Sequence, residues 1–207
     1  MSDEFEKGIE KASILISNGE VIAVPTDTVY GLLCGIFNTP AIEKIFELKQ
    51  RDSNKPLVAF CKSIEEIERL CYDIPDIFYI LAKRFLPGPL TIVLKRNKNV
   101  LGNVCSGMDT IAVRIPYYKF INKLMDSLEF PLASTSANIS EEKTFVHVTD
   151  VIKTFSGQIP LIIDGGRCPL GIESTVIDLT AKEIKIVREG FIRKEQLAIF
   201  FNNYISK

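Results

Sequence analysis

Three cationic side chains, Lys49, Arg51 and Lys55, lie within the seven-residue segment KQRDSNK. The segment follows a run with helical spacing and precedes an apolar run, which predicts a loop between a helix and a strand. Arg binds phosphate through its planar fork and Lys binds it as a point charge. Cations at a helix C-terminus are also common without a ligand and contribute only about 0.3–1 kcal/mol there. The segment therefore predicts either an anion site or an ordinary charged surface.

Arg114 lies in an apolar strand. Ile111, Val113 and Ile115 alternate along one face of that strand, so Arg114 projects from the other face beside Ala112. A buried guanidinium without a partner would be very costly. The pattern predicts an anion beside Arg114, which could be a carboxylate of the protein or a carboxylate or phosphate of a ligand.

Hydroxyl and amide side chains are concentrated in Ser134 to Asn138, with the sequence STSAN. This segment follows the apolar pair at 132–133, and its small side chains and backbone N–H groups would let a ligand approach closely. A turn of this composition could equally cap the next element. The segments GIEST at 171–175 and REG at 188–190 are weaker candidates of the same kind.

Several common designs of active site are missing from the sequence. It contains neither the glycine-rich loop of P-loop proteins nor the G-x-G-x-x-G of dinucleotide-binding domains. His147 is the only histidine, which argues against a Ser-His-Asp triad or a histidine metal site. The five cysteines form no C-x-x-C pair and are predicted to be reduced thiols: Cys34, Cys61, Cys71, Cys105 and Cys168. Any chemistry must come from cations and hydroxyl groups, and no protein metal site is predicted.

The bulk properties restrict the class of protein. The 207 residues are 46% hydrophobic, and 25 basic against 26 acidic residues leave a net charge of −1. No overall field would therefore hold the protein on nucleic acid or anionic lipid. The charged N-terminus is unlike a signal peptide, and no apolar run is long enough to span a membrane. We expect a cytoplasmic protein.

Helical and strand patterns alternate along the chain without repeats or linkers. The predicted helices are 5–18, 39–49, 63–72, 77–85, 119–128, 148–155 and 193–204. The predicted strands are 21–24, 29–34, 56–60, 90–94, 110–115, 132–133, 161–163, 174–179 and 184–187. This alternation predicts an α/β or mixed α+β fold in a single domain over residues 1–207.

Seven segments in order along the chain resemble the YrdC-like family. They are PTDTVYGL at 25–32, KQR at 49–51, PGPLT at 87–91, AVRIP at 112–116, STSAN at 134–138, GIESTVIDL at 171–179 and REG at 188–190. The resemblance implies a twisted, mostly parallel or mixed sheet flanked by helices, with a large, positively lined concave cavity. It is greatest to the short members of the family, which lack a further C-terminal domain.

The resemblance also implies an activity. The family's nucleotidyltransferases form threonylcarbamoyl-AMP and pyrophosphate from L-threonine, bicarbonate and ATP, for threonylcarbamoyladenosine in tRNA. ATP would bind Lys49, Arg51, Lys55, Ser134, Ser136, Asn138 and Arg188, and Lys49 and Arg51 would be catalytic. Threonine would bind Thr26, Arg114 and Ser174. Mg²⁺ would be held by the phosphates, and tRNA or a downstream transferase complex would be the partner.

The chain departs from the family pattern at three positions. Many relatives have Gly and Pro where this chain has Gln50 and Asp52, and often a histidine near Phe60. These differences leave open a paralogue that uses another acyl substrate. A module that binds double-stranded RNA or tRNA in a basic cavity is a second alternative, and the net charge of −1 argues against it.

Overall fold

The structure, a computed structural model, describes residues 3–100 and 102–205. The helices are α1 Asp3–Ser17, α2 Thr39–Lys49, α3 Ile64–Leu70, α4 Asp76–Phe85, α5 Lys119–Asp126, α6 Val148–Phe155 and α7 Lys194–Ile205. The strands are β1 Ile22–Val24, β2 Gly31–Gly35, β3 Val58–Phe60, β4 Leu90–Lys95, β5 Thr110–Arg114, β6 Leu132–Ser136, β7 Thr175–Asp178 and β8 Lys185–Arg188. In the described ranges, no helix combines the length and apolar character needed to cross a membrane.

All eight strands form one mixed sheet in the order β1-β2-β6-β3-β5-β4-β7-β8. The mixed α/β class is confirmed, and of the two sheet types that the resemblance allows, mostly parallel or mixed, the structure shows the mixed one. Only β3–β5 and β4–β7 are parallel among the pairings of the described strands, and the other neighbours are antiparallel. Several sequential strands, such as β4 and β5, are joined directly by loops, which reverse the chain without the helical crossover that parallel strands require.

Two hydrophobic cores lie on opposite faces of this sheet. Alternate strand residues separate them: Ala23, Leu32 and Ala133 belong to one core, whereas Leu33 and Leu132 belong to the other. The first core is covered by α2, α3, α4, α6 and α7, and the second by α1 and α5. The two faces of the sheet are therefore covered unequally.

The less covered face provides the floor of the cavity. Ser134, Val58, Ala112 and Val93 are register partners in a row across β6, β3, β5 and β4. Paired residues share a face, and this row lies on the face that carries the α1 and α5 core. These side chains line a cavity instead of packing under a helix.

Two strand predictions are wrong. Residues 161–163 form an isolated bridge between Ile162 and Ala23 and not a strand. β6 continues through Ser136, so STS lies in the sheet and not in a turn. The reason is tertiary pairing, because Ser134 and Ser136 pair with Leu33 and Gly31 of β2.

Local capping fixes the ends of α2 and the start of α3. Asn38 Oδ1 accepts a hydrogen bond from the backbone N–H of Ala41 at the start of α2 (2.9 Å). At its other end Gln50 adopts the left-handed conformation, with φ 49° and ψ 41°. The predicted cap of α3 is also present, since Ser63 Oγ accepts from the N–H of Glu66.

Candidate active site

A cavity of about 640 Å³ opens on the less covered face of the sheet. It is lined by all ten site residues predicted above: Thr26, Lys49, Arg51, Lys55, Arg114, Ser134, Ser136, Asn138, Ser174 and Arg188. Five of these are cations, and the described lining includes three carboxylates, those of Glu141, Glu142 and Glu173. The implied concave cavity with excess positive charge is therefore present.

Lys49 holds the STSAN segment from inside the protein. The side chain is almost completely buried, and its ammonium donates to the carbonyl oxygens of Ser136 and Asn138 and to Asn138 Oδ1, the last two at 2.6 and 3.1 Å. Three acceptors satisfy all three N–H donors of an ammonium. Burial and, to a smaller extent, the charge of the neighbouring Arg51 lower the pKa of Lys49 to about 7. Lys49 thus positions the loop in addition to contributing charge.

Arg51 and Lys55 lie on the loop that follows α2, and their side chains have different partners. The Arg51 side chain donates from Nε to the carbonyl of Lys55 and from Nη2 to that of Pro56, each at 3.0 Å. These bonds fold the loop around the guanidinium and leave Nη1 without a partner in the described residues. Lys55 forms an ion pair of 2.5 Å with Glu141 across the cavity. Both cations line the cavity and retain donors for an anion.

All four polar residues of STSAN line the cavity, and the three predicted as site residues have different roles. Asn138 donates from Nδ2 to the carbonyls of Ile139 (2.9 Å) and Glu142 (2.7 Å), so its amide closes the turn that follows β6. Ser134 and Ser136 project onto the cavity floor from alternate positions of the strand. The end of β6 and the turn after it therefore combine a hydrogen-bonded amide with two hydroxyl groups directed at the cavity.

Arg188 and Ser174 meet where β8 pairs with β7. Arg188 donates from Nη2 to the Ser174 carbonyl at 2.9 Å and from Nη1 to Glu173 Oε1 at 2.6 Å. The Ser174 hydroxyl is 2.8 Å from that of Thr91. A Cβ added to Gly190 would lie 2.3 Å from the Glu173 carbonyl oxygen, so only glycine fits where REG crosses GIEST.

Thr26 forms a turn of its own. Its hydroxyl accepts from the N–H groups of Thr28 (3.0 Å) and Val29 (3.2 Å) and donates to the carbonyl of Val29 (2.7 Å). The carbonyls of Asp27 and Thr28 in turn accept from the N–H groups of residues 170 and 171. Thr26 consequently lines the cavity with a hydroxyl that is committed to the turn.

Arg114 has a carboxylate of the protein as its partner. Nη2 pairs with Asp27 Oδ1 (2.5 Å), Nη1 donates to Thr28 Oγ1 (3.1 Å) and Nε donates to the Gly88 carbonyl (3.0 Å). The guanidinium also lies over the Phe60 ring, 5.5 Å from its centroid. Burial lowers the pKa of Arg114, and the charge of Asp27 opposes this shift. Of the two alternatives left open by the sequence, the structure shows the protein carboxylate.

Sequence reasoning missed several polar residues that complete the site. Asp27 and Thr28 lie inside PTDTVYGL, and Glu173 lies inside GIEST, but nothing in their spacing indicated which cation each would contact. Thr91 was also missed, and its position after the PGPL turn on the cavity face of β4 was the available signal. Contacts between segments distant in sequence could be identified only from the fold.

The cysteine predictions agree with the structure. All five thiols are free and buried, and burial raises the pKa of Cys34 and Cys71 to about 12. The residues that the structure describes contain no cluster of three or more His, Cys, Asp or Glu side chains able to hold a metal ion. None of these five cysteines is among the residues that line the cavity.

The fold and the site define a class of mixed α/β proteins with an open, cation-lined cavity on one face of the sheet. A sequence model of the Sua5/YciO/YrdC family, described as telomere recombination, matches residues 14–190. The chain belongs to this family.

Individual relatives agree with this assignment. A threonylcarbamoyl-AMP synthase of Pyrococcus abyssi is 41% identical over 189 residues, which cover 91% of this chain and 56% of the relative. A putative threonylcarbamoyl-AMP synthase of Methanocaldococcus jannaschii is 34% identical over 95% of this chain and 92% of its own length. The structure of P. abyssi Sua5 complexed with L-threonine matches with a TM-score of 0.90 and 40% identity, over 93% of this chain and 56% of that one. The chain thus spans little more than half the length of the P. abyssi relative.

Proposed function

We propose that the protein is an L-threonylcarbamoyladenylate synthase, a nucleotidyltransferase that forms threonylcarbamoyl-AMP and pyrophosphate from L-threonine, bicarbonate and ATP. The observation that carries the proposal is the convergence of ten residues from separate motifs on one cavity. The name of several relatives and the threonine complex of one of them support the choice of substrates.

The nucleotide would bind through the cations and the STSAN loop. Arg51, Lys55 and Arg188 line the cavity, and their N–H groups could donate to the oxygens of a triphosphate. Ser134, Ser136 and Asn138 would contact the nucleotide from β6 and its turn. Lys49, whose three donors are used by that loop, would act by fixing the loop and by its charge.

The amino acid would bind near Arg114 and Ser174. A guanidinium has five N–H donors, and those of Arg114 make three bonds to the protein, which leaves two for a substrate carboxylate. The Ser174 hydroxyl and its partner Thr91 could bind the substrate hydroxyl. Thr26 would shape this end of the cavity through its turn.

The reaction needs positioning and charge more than a nucleophilic side chain. Bicarbonate takes up a proton and loses water to give carbon dioxide. The threonine ammonium group loses a proton and adds to the carbon dioxide, and a second proton leaves the nitrogen to give a carbamate. A carbamate oxygen then attacks the α-phosphorus as the bond to pyrophosphate breaks. Cations placed where charge develops promote such a displacement. Mg²⁺ would enter on the ATP phosphates, since the described residues offer no metal-ligand cluster.

The cellular setting follows from this activity. We infer that the product serves threonylcarbamoyladenosine formation in tRNA, with tRNA or a transferase complex as the next recipient. A cytoplasmic location agrees with five free, buried thiols.

The test is a reconstituted assay with the protein, ATP, Mg²⁺, bicarbonate and single amino acids. We expect pyrophosphate and a threonylcarbamoyl adenylate to form with L-threonine and in the absence of RNA. Turnover with a different amino acid would instead indicate a paralogue, and salt-sensitive RNA binding without turnover would indicate a binding module.

A further inference from the structure

Three of the cavity cations already have carboxylate partners, and the three pairs differ in burial. The Arg114 and Asp27 side chains are 5% and 6% exposed. Those of Arg188 and Glu173 are 43% and 33% exposed, and those of Lys55 and Glu141 are 44% and 78% exposed. A fully buried pair cannot separate without leaving a charge unpaired in the protein, whereas partly exposed pairs can exchange partners.

Glu173 is the central carboxylate of this group. It bonds Arg188 Nη1 at 2.6 Å, and its charge also acts on Lys49 and Arg51, where it opposes the lowering of both pKa values by burial. One carboxylate therefore contacts Arg188 and acts through its charge on two more of the five cavity cations. Glu141, by contrast, contacts Lys55 at the more exposed side of the cavity.

Arg188 does not depend on Glu173 for its orientation. The Ser174 carbonyl accepts from its Nε at 3.3 Å and from its Nη2 at 2.9 Å, and the Ser174 hydroxyl lies 3.3 Å from Nη2. Removing the Glu173 charge would leave these bonds in place. The effect of Glu173 on an incoming anion is therefore electrostatic repulsion and competition for Nη1.

We propose that the Glu173 carboxylate takes the place of a phosphate before the nucleotide binds. It occupies the Nη1 donor of Arg188 and must release this donor when the phosphates enter. This inference rests on the proposed function and adds a residue that sets the affinity for the nucleotide. By opposing anion binding, Glu173 also favours the release of pyrophosphate. Its role is thus to let bound anions leave a strongly cationic cavity.

The test compares the affinities of the wild-type protein and Glu173→Gln for inorganic pyrophosphate and for ATP, by calorimetry with and without Mg²⁺. Glu142→Gln is the matched control, because Glu142 lines the same cavity and has no ion-pair partner in the described structure. Both variants remove one negative charge and keep the side-chain size. Circular dichroism and the melting temperature check that each variant is folded.

We expect Glu173→Gln to bind both ligands about tenfold more tightly than the wild type, with a smaller gain for Glu142→Gln and a difference that shrinks at high salt. Its KM for ATP should fall, and pyrophosphate release should slow. Unchanged or weaker binding by Glu173→Gln, including weakening only with Mg²⁺, would overturn the proposal. Tighter pyrophosphate binding without any adenylate formation would preserve it and refute the proposed function. A wild-type protein that binds neither ligand would refute both.

Discussion

The buried ion pair of Asp27 and Arg114 stabilises the fold, and Arg114 also lines the cavity. Asp27 Oδ1 accepts from Arg114, while Asp27 Oδ2 is buried without a hydrogen-bond partner in the described structure. A carboxylate in such surroundings is stable only because the guanidinium compensates it. The pair therefore holds the Arg114 guanidinium in the cavity lining, so the stability of the fold depends on a residue of the site.

We predict that Asp27→Ala lowers the free energy of unfolding by about 3–5 kcal/mol, since it leaves Arg114 charged and buried without its partner. Urea denaturation measures the change. Asp109→Ala is the control, because the Asp109 side chain is fully exposed and lies 3.7 Å from Arg96, so its loss should cost less than about 1 kcal/mol. Equal losses for both variants would contradict the assigned role of Asp27.

Lys49 should make stability depend on pH. Its pKa is about 7 in the folded protein and 10.5 in an unfolded chain, so between these values the unfolded state binds the additional proton. Raising the pH through this window therefore favours the folded state at this group. We expect the free energy of unfolding of the wild type to increase relative to Lys49→Met between pH 7 and pH 10. A constant difference across this range would mean that Lys49 titrates like an exposed lysine.

Arg51 provides a test of transition-state electrostatics. Arg51→Ala should reduce adenylate formation by about a hundredfold while the melting temperature stays near that of the wild type. Arg193→Ala, which removes a surface cation paired with Glu189, should leave the rate unchanged. A wild-type rate for Arg51→Ala would place Arg51 outside the chemistry.

At the scale of elements, the C-terminus of α2 connects the helix to the cation loop. Gln50 takes the left-handed conformation there, and its N–H bonds back to the carbonyls of Phe46 and Glu47. This conformation reverses the chain so that Lys49 stays buried in α2 while Arg51 enters the loop. Glycine at position 50 would adopt this conformation without strain, since it has no Cβ.

We predict that Gln50→Gly is neutral or stabilising by up to about 1 kcal/mol, whereas Gln50→Val destabilises by more than about 1 kcal/mol. A β-branched side chain is strained in the left-handed region, and glycine is not. Thermal and urea denaturation give the two values, and the adenylate assay shows whether the loop keeps its geometry. If valine were tolerated as well as glycine, the left-handed cap would not control the loop.

At the scale of the whole molecule, the single sheet links the two cores. The same strands supply alternate residues to both faces, as Leu32 and Leu33 of β2 do. Loss of one core would therefore disturb the other. The single domain over residues 1–207 stays a prediction from the sequence, and residues 1–2, 101 and 206–207 lie outside the described chain.

We expect one cooperative unfolding transition. Since the sequence contains six tyrosines and no tryptophan, tyrosine fluorescence can follow packing while far-ultraviolet circular dichroism follows the helices. The two urea curves should coincide. Separate midpoints would show that the two sides of the sheet unfold as independent units.

The sequence by itself determined the elements and the chemical types of the site. The helix at 148–155 was predicted with its observed bounds, and the cap at Ser63 is present, because spacing and capping are local properties. Nine of the ten predicted site residues that line the cavity could be named from the seven family segments, and Lys55 from the cation cluster that begins at Lys49. Their burial, partners and distances could not.

Tertiary structure decided which charges meet and which strands run parallel. Asp27 and Arg114 are 87 residues apart in the chain, as are Lys49 and Ser136, and no local pattern encodes their contacts. The strand expected at 161–163 is reduced to a bridge and β6 extends through Ser136, because pairing depends on the neighbours that the fold supplies. Local patterns and the family segments therefore specified the components of the cavity, and long-range packing turned them into a buried ion pair, a fixed loop and a cluster of cations with carboxylate partners.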